Sequence, residues 1–397
     1  MESENDLIAA VVNAAGADDG PSVSTATAVK RGKLAYFALE LPHKGQASYV
    51  HIHEIVDNLR QLGWQVDLFT PRPGLPGQRR NIVAKAFEYI RATWNALASI
   101  AGYDVIYVRN HPLTWAFAVV ASIRGFVVVE EVNGTELDPI ASHPWLAPAR
   151  PLLRWLHASQ YRRARHLFPV AKELAAWVRL LARHDRITVV PNGANTDLFR
   201  PIDAGGGAAP FVVFFGGLTA WHGVDVMIEA TRHPSWPRGL ELVVIGAGGR
   251  QNLIEEAVRA GLPIRWLGYR PYEQIPGLLA GAIAGLIPMT NPRGRSSTST
   301  GMNPLKLYET LACGIPVIVS DLPGQAEFVA EGRCGLVVPC GDAAALARAV
   351  AQLAADPAQA REMGQRGAAL VRAAHSWHAR AVVIDKVLCE CLAGAAQ

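Results

Sequence analysis

A lysine and a glutamate three residues apart, Lys306 and Glu309, are the side chains in this sequence with the clearest capacity for chemistry. Asn303 is a favourable helix N-cap and Pro304 a favourable first helical residue, which predicts a helix that ends before Gly314. The helix dipole opposes a first-turn cation by roughly 0.3–1 kcal/mol, unless an anion is bound there. The diphosphate and ribose of a nucleotide would match the lysine and the glutamate. The alternative is a capped helix that carries a surface Lys–Glu pair.

Two glycine-containing turns follow predicted strands at equivalent places in the two halves of the chain. Gly45 lies in the first turn, and Gly216 and Gly217 form the second. Glycine lets the backbone approach a ligand closely and leaves N–H groups free to face an anion. His222 follows soon after the second turn. Because parallel strands end at the same edge of a sheet, both turns are expected at one cleft.

Short apolar runs alternate with helical periodicity from Lys33 onward, which is typical of a parallel α/β protein. The segment Asp203–Pro210 is rich in glycine and alanine and predicts a linker between two halves. The predicted strands are Lys33–Leu39, Val66–Phe69, Asp104–Val108, Phe126–Val129, His166–Val170 and Ile187–Pro191 before the linker, and Phe211–Phe215, Leu240–Ile245, Ile264–Leu267, Ala282–Ile287 and Val317–Val319 after it.

These patterns predict two doubly wound domains, each built on a parallel sheet. The first is expected over residues 31–202 and the second over residues 208–375. Residues 1–30 are rich in small and polar residues and predict a disordered tail. A last helix, at about residues 376–397, is expected to cross back and pack on the first domain.

Composition excludes several classes of protein. A net charge of +4 over 397 residues is too small for a protein that coats nucleic acid. No uncharged apolar run reaches the roughly 18 residues that a membrane span requires. The five cysteines lack paired C-x-x-C spacing, so we expect reduced thiols, no metal site and a cytoplasmic location.

Several motifs occur in the order found in family 4 glycosyltransferases, and the chain resembles these retaining, nucleotide-sugar-dependent enzymes of the GT-B fold. Pro191–Phe199 resembles the interdomain signature, and Phe215–Gly223 resembles the donor loop that opens the second domain. Glu309–Val317 resembles the end of the donor motif, whose first glutamate would fall at Gly301. Asn303 replaces the serine of a subset with S-P-x-K-L-F-E. The resemblance implies two Rossmann-like domains facing a cleft, the first for the acceptor and the second for the nucleotide sugar.

The resemblance implies that Lys306 holds the diphosphate of the donor and Glu309 its ribose hydroxyls. Two phosphate-binding cations that are usual in the family are absent, so Lys306 would carry more of the charge. His222, Arg293 or Arg295 would assist it. The implied donor-binding residues, with Tyr269 and Arg270 beside the base, are Gly45, Gly216, Gly217, His222, Tyr269, Arg270, Asn303, Leu305, Lys306 and Glu309.

In the first domain the resemblance places Glu131 and Asn133 where relatives present a residue to the sugar, with His111 as a further candidate. The implied catalytic residues are therefore Lys306, Glu131, Asn133 and His111. For Glu131 and Asn133 the alternative is that they only cap a strand. A lysine and helix amides can stabilise a departing diphosphate without a metal, so no metal cofactor is expected.

The sequence thus predicts a retaining glycosyltransferase that uses a nucleotide sugar, with UDP or GDP as the expected carrier. The acceptor would be a hydroxyl of a sugar, a lipid-linked molecule or a small molecule. Two alternatives stay open: a sugar-nucleotide epimerase of the same fold, and a non-catalytic sugar-nucleotide binder or scaffold. The basic, amphipathic segment Arg150–Arg165 predicts contact with an acidic acceptor or with the inner face of a membrane, or else a solvated helix with one buried face.

Overall fold

The computed structural model describes residues 31–40, 44–72, 81–203, 205, 209–290, 301 and 303–394. The predicted tail over residues 1–30, part of the predicted linker, and Arg293 and Arg295 lie outside the described residues. The same holds for the last three residues of the predicted C-terminal helix. In the described part of the chain, no helix has both the length and the apolar character to cross a membrane.

Five parallel strands form the first sheet, in the order β2-β1-β3-β4-β5. Both faces of this sheet are buried, as expected for parallel strands between two layers of helices. Leu34 and Tyr36 of the first strand face one layer, and Ala35 and Phe37 face the other. The strands are β1 (Lys33–Phe37), β2 (Gln65–Phe69), β3 (Val105–Arg109), β4 (Val127–Val132) and β5 (His166–Pro169).

The helices of the first domain divide between these two faces and the β5 edge. Helix α1 (Ala47–Gln61) packs on the Leu34 face. Helices α2 (Ile82–Ser99) and α3 (Trp115–Ile123) pack on the Phe37 face. The helices that follow are α4 (Leu137–Ser142), α5 (Arg150–Tyr161), which contacts α3, and α6 (Lys172–Ala182), which packs with α5 around Tyr161.

Six parallel strands form the second sheet, in the order β11-β10-β9-β6-β7-β8. The strands are β6 (Phe211–Phe215), β7 (Glu241–Ile245), β8 (Ile264–Trp266), β9 (Ala282–Ile287), β10 (Val317–Ser320) and β11 (Gly335–Val338). The helices are α7 (Val224–Arg232), α8 (Gln251–Arg259), α9 (Ile275–Leu279), α10 (Leu305–Ala312), α11 (Gln325–Gly332), α12 (Ala343–Ala355) and α13 (Pro357–Ala374). Here too both sheet faces are buried. The prediction of two doubly wound parallel-sheet domains is confirmed.

The C-terminal helix α14 (Trp377–Ala393) packs against α1 of the first domain. Trp377, Ile384 and Leu388 lie in the same buried cluster as the apolar face of α1. Just before the helix, Ser376 forms a parallel bridge with Ala194 of the interdomain segment. The two passages of the chain between the domains therefore lie side by side.

Two strand predictions differ from the structure. Ile187–Pro191 is extended beside β5 but makes only one bridge, between Leu167 and Ile187. One reason is that Pro169 of β5 accepts a hydrogen bond from Val190 but has no N–H to donate in return. The edge strand β11 was not predicted, because a four-residue run beside a helix gives little periodic signal.

Candidate functional site

Helix α10 positions the candidate donor site. It begins at Leu305, with Pro304 as an extended N-cap, and so starts one residue later than the predicted first helical position. Asn303 was predicted to be the N-cap, but its side chain is engaged elsewhere. Its amide donates to the carbonyl of Val170 in the first domain (3.0 Å) and its amide oxygen accepts from the Tyr308 hydroxyl (2.9 Å). Asn303 therefore joins the start of α10 to the opposite domain.

Lys306 is the second residue of α10, and its side chain is buried. The Nζ atom lies 4.3 Å from the centroid of the Phe214 ring. It has no hydrogen-bond partner among the described residues. Burial lowers the pKa of Lys306 to about 7. An unpartnered buried ammonium is costly, so this position suits an anion, which the N-terminus of α10 also attracts.

Glu309 lies on the same face of α10, one turn after the lysine, and is also buried. The Tyr272 hydroxyl donates to its Oε1 atom at 2.6 Å. Burial raises the pKa of Glu309 to about 7, although the Tyr272 hydrogen bond and the charge of Lys306 act in the opposite direction. A hydroxyl-bearing ligand that donated to this carboxylate would favour its ionised form.

The turn after β6 lies directly against the lysine. Gly216 has φ +125°, and a Cβ atom added there would lie 3.0 Å from Lys306 Nζ. Glycine is therefore needed for both the backbone conformation and the space. A Cβ added to Gly246 would lie 1.9 Å from the Gly216 carbonyl oxygen, so the glycines after β7 allow the two loops to pack backbone to backbone.

His222 is held within the same loop. Its Nδ1 atom contacts the Gly217 carbonyl oxygen and lies 3.0 Å from Thr219 Oγ1. Its ring lies 6.2 Å from that of Phe214, the ring that Lys306 Nζ also contacts. The loop thus places an imidazole beside the lysine site.

The glycine turn of the first domain reaches the second domain. Gly45 has φ +86°, and a Cβ added there would lie 3.7 Å from Tyr269 Oη and from Tyr272 Cβ. Because Tyr272 bonds to Glu309, both glycine turns and α10 border one interdomain cleft. Arg270 is exposed, and its guanidinium donates to the Tyr269 carbonyl oxygen.

No side chain fits at position 301. Gly301 has φ +95°, and an added Cβ would lie 2.5 Å from Ala171 Cβ and 2.5 Å from Glu173 Oε2. Both neighbours belong to the first domain, where Glu173 lies in the first turn of α6. The structure therefore has a carboxylate beside the position where the family motif has its first glutamate, but the opposite domain supplies it.

A cavity of about 510 Å³ opens at the carboxyl ends of β1, β3 and β4, the edge of the first sheet that also carries the Gly45 turn. Ligands of doubly wound sheets bind at this edge. The cavity is a candidate acceptor site. It is lined by Glu40, Asn110, His111, Pro112, Asn133, Gly134, Thr135, Asp138, Pro139, Ser142, His143 and His157.

Two histidines of the cavity are neutral by environment. Burial lowers the pKa of His111, and it lowers the pKa of His157 to about 4. His111 Nδ1 accepts a hydrogen bond from the Leu113 backbone N–H (3.2 Å), so the neutral ring carries its proton on Nε2. His157 Nε2 is buried without a partner among the described residues. These rings suit hydrogen bonding to hydroxyl groups.

Glu131 lies at the centre of a buried ion cluster, outside the lining of the cavity. The Tyr36 and Tyr107 hydroxyls donate to it at 3.0 and 3.2 Å, and the Asn133 amide donates at 2.6 Å. The Arg109 guanidinium also contacts the carboxylate. Burial alone would raise the pKa of Glu131, but nearby His51 and Arg109 hold it well below its usual range. This enclosed carboxylate positions its neighbours.

A hydrogen-bonded path leads from this cluster to the donor helix. His51 Nε2 lies 2.9 Å from Glu131 Oε1, and its Nδ1 lies 2.7 Å from Asn192 Oδ1. The Asn192 amide in turn donates to the Asn303 carbonyl oxygen at 2.5 Å. The first domain, the interdomain segment and the start of α10 are therefore connected through side chains.

Comparison with known proteins shows the family. The model described as Glycosyltransferase Family 4 matches residues 49–198, and the model described as Glycosyl transferases group 1 matches residues 209–356. The two matches fall on the two domains. The chain belongs to the family 4 glycosyltransferases.

Relatives of this glycosyltransferase include the alpha-maltose-1-phosphate synthase of Mycolicibacterium smegmatis, 26% identical over 80% of this chain and 88% of that protein. A GDP-mannose-dependent phosphatidylinositol monomannoside mannosyltransferase of the same organism is 30% identical over 50% of this chain and 55% of that protein. Among solved structures, HepE of Anabaena in complex with UDP is 19% identical, with a TM-score of 0.66 over 91% of this chain and all of that one. These comparisons establish the GT-B fold and glycosyltransferase activity.

The residues that the sequence analysis selected fall into groups according to their place in the structure. Those around the interdomain cleft are Gly45, Gly216, Gly217, His222, Tyr269, Asn303, Leu305, Lys306 and Glu309, while Arg270 is exposed beside them. His111 and Asn133 line the acceptor-side cavity. Glu131 is enclosed behind it. The sequence analysis missed Tyr272, Glu173, His51 and His157, because only their packing in space distinguishes them from other aromatic, acidic and histidine residues.

We predict that Lys306→Met stabilises the ligand-free enzyme by about 1–3 kcal/mol near pH 6, because it removes an unpartnered buried charge of the folded state. Between the pKa of about 7 in the folded state and about 10.4 in the unfolded state, the unfolded state binds more protons. The contribution of Lys306 to the free energy of unfolding of the native enzyme therefore becomes less unfavourable as the pH rises between these two pKa values. The advantage of the variant should shrink accordingly. Urea unfolding at several pH values measures it.

Lys386→Met, at an exposed position of α14, is the matched control and should change stability little at any pH. A Lys306→Met enzyme that was less stable than the native one at pH 6 would contradict the account of a buried lysine without a hydrogen-bond partner.

We predict that Gly301→Ala lowers the free energy of unfolding by at least about 1 kcal/mol, because alanine at positive φ is strained and its methyl group would overlap α6. Gly102→Ala is the control, since a Cβ at Gly102 meets nothing within 4 Å and φ there is not positive. Denaturant titrations of both variants should separate them. Equal effects would show that position 301 is not tightly packed against α6.

Proposed function

We propose that this glycosyltransferase transfers a sugar from a nucleoside diphosphate donor to an acceptor hydroxyl with retention of configuration. The observation that carries the proposal is the buried, unpartnered Nζ of Lys306 in the first turn of α10, directly beside the Gly216 turn. A diphosphate is the ligand that would satisfy the ammonium and the helix N-terminus together. Glu309 on the same face would accept hydrogen bonds from the ribose hydroxyls.

The departure of the diphosphate is the step that this arrangement favours. Charge grows on the leaving oxygens as the glycosidic bond breaks, and a preorganised ammonium in a water-poor site stabilises that charge strongly. Because burial lowers the pKa of the free lysine, the arriving anion also restores its protonated form. No step of this account requires a metal ion, and among the described residues no cluster of acidic, histidine or cysteine side chains is suited to hold one.

The acceptor is proposed to bind in the cavity of the first domain. The His111 Nε2–H and the amide of Asn133 would orient its hydroxyl groups. For retention, the acceptor attacks the sugar on the face that the diphosphate leaves, so a diphosphate oxygen lies close enough to receive the hydroxyl proton. The Gly45 turn contacts the Tyr269–Tyr272 loop and would help to exclude water from the reacting atoms.

Two similar proteins support both expected carriers. The HepE structure contains UDP, and the M. smegmatis mannosyltransferase is named for GDP-mannose. We therefore propose a UDP- or GDP-sugar. The five cysteines are free thiols, which supports a reducing compartment such as the cytoplasm.

We predict that Lys306→Met lowers the rate of sugar transfer by 2–4 kcal/mol in activation free energy, roughly 30- to 1000-fold. Single-turnover assays of sugar transfer or donor hydrolysis measure this loss, and Lys386→Met should retain the native rate. Because the same variant is expected to be more stable, unfolding cannot explain a loss. An unchanged rate would remove Lys306 from the mechanism.

We predict that one nucleoside diphosphate, UDP or GDP, raises the melting temperature far more than ADP or TDP, because a ligand that binds only the folded state stabilises it. Thermal shifts with the free nucleotides and then with their sugars identify the base and the sugar in turn. Product analysis by NMR distinguishes the reactions. A new glycosidic bond supports transfer, free nucleotide with an isomerised sugar would indicate an epimerase, and binding without turnover would indicate a scaffold.

A further inference from the structure

Most of the large apolar side chains that the described residues expose belong to the first domain. Of the sixteen large apolar side chains that are exposed in the described residues, ten lie between Val83 and Trp155. A contiguous group of exposed apolar residues marks an interaction site, whereas scattered exposed residues do not.

Helix α2 carries the centre of this surface. Val83, Phe87, Ile90 and Trp94 are each 64–71% exposed. At 3.6 residues per turn they fall within roughly 60° of arc, so they form one continuous stripe along the helix. The opposite side of α2 is buried through Ala92 and Ala96. The stripe is therefore not a misplaced core face but a second apolar face that is directed to solvent.

Two neighbouring helices extend the stripe. Helix α3 shares the buried cluster of α2 and exposes Val120 and Ile123, and α5 contacts α3 and exposes Leu152 and Trp155. The three helices are therefore neighbours in the fold, and each exposes apolar side chains to solvent. We call the exposed residues of α2, α3 and α5 the apolar surface.

The charges around the apolar surface are mainly positive. Helix α3 has no charged residue, and the only acid of the three helices, Glu88, is bonded to Arg91. Arg150 and Arg154 of α5 share one buried acid, Glu136. The cations of the three helices are Lys85, Arg91, Arg150 and Arg154, and Arg124, Arg162 and Arg163 follow directly after α3 and α5.

We propose that the apolar surface is a docking site for an anionic lipid bilayer. Large aromatic and aliphatic residues on an amphipathic helix bury in the interfacial region, and surrounding cations attract anionic headgroups. A second copy of this chain would bring these like charges together at one interface, so the charge distribution favours the bilayer. This assignment moves the centre of membrane contact from Arg150–Arg165, where the sequence placed it, to α2.

Helix α5 contributes both to the apolar surface and to the lining of the acceptor-side cavity. His157 of α5 and Pro112 line the cavity, while Trp155 and Leu113, close to them in the sequence, are exposed. Docking would therefore bring the cavity close to headgroups in the membrane. The corollary that the acceptor is anchored in a lipid rests on the proposed function, whereas docking itself does not.

Vesicle co-sedimentation of the full chain tests the proposal. We expect binding to phosphatidylcholine vesicles that contain phosphatidylglycerol, weaker binding at high salt, and little binding to pure phosphatidylcholine. Phe87→Gln combined with Trp94→Gln should lower the partition coefficient by roughly tenfold or more, because two large side chains no longer insert. The matched control is Val258→Gln combined with Val382→Gln, two exposed apolar positions on other helices, which should bind as the native protein does.

Melting temperature and the thermal shift with nucleotide should be unchanged in the α2 variant, which separates loss of docking from loss of folding or of the donor site. The proposal is overturned if the native chain does not bind the anionic vesicles or if the α2 variant binds them equally well. It is also overturned if light scattering shows that the native chain forms a dimer, that the α2 variant does not form this dimer, and that the native chain does not bind the vesicles.

Discussion

A buried lysine ammonium that has no hydrogen-bond partner in the described structure is the constraint on which the second domain is organised. A lysine side chain is usually exposed to solvent. Lys306 instead lies in the first turn of α10 against the Phe214 ring, where burial and the helix dipole both oppose its charge. Folding alone does not favour such a placement, because an apolar side chain there would be less costly. The Gly216 turn leaves room for the Nζ atom and presents backbone to the same point. The buried ammonium lowers the stability of the ligand-free protein, but it is already positioned to stabilise the charge of a departing anion.

The main buried charge of the first domain, by contrast, has several partners. Glu131 accepts hydrogen bonds from Tyr36 and Arg109 among others, and these contacts offset the cost of its burial. A carboxylate of this kind cannot act on a substrate without breaking the cluster, but it can fix the groups around it. Through His51 and Asn192 it also fixes the start of α10. The positions of acceptor cavity and donor helix are therefore set by one continuous polar network.

The fold could be predicted because it depends on local patterns. Phe211–Phe215 and Ala282–Ile287 are uninterrupted apolar runs with clear ends, and the structure has strands with those same bounds. The donor half of the site was accessible for a similar reason, since Lys306 and Glu309 are neighbours along one helix. The acceptor half was not. The family resemblance placed Glu131 at the cleft, and only the structure shows that Tyr36, Tyr107 and His51, distant in sequence, enclose its carboxylate.

Gly301 shows how an apparent defect in a motif can be resolved in three dimensions. From the sequence, the missing glutamate removes a carboxylate from the donor site and weakens the enzymatic interpretation. In the structure, a side chain at this position would overlap Ala171, and the Glu173 carboxylate lies beside the backbone instead. The acid beside this position therefore belongs to the first domain, in the first turn of α6. Domain closure is a common way to complete a catalytic site, and a carboxylate supplied by the first domain would reach this position only when the domains are closed.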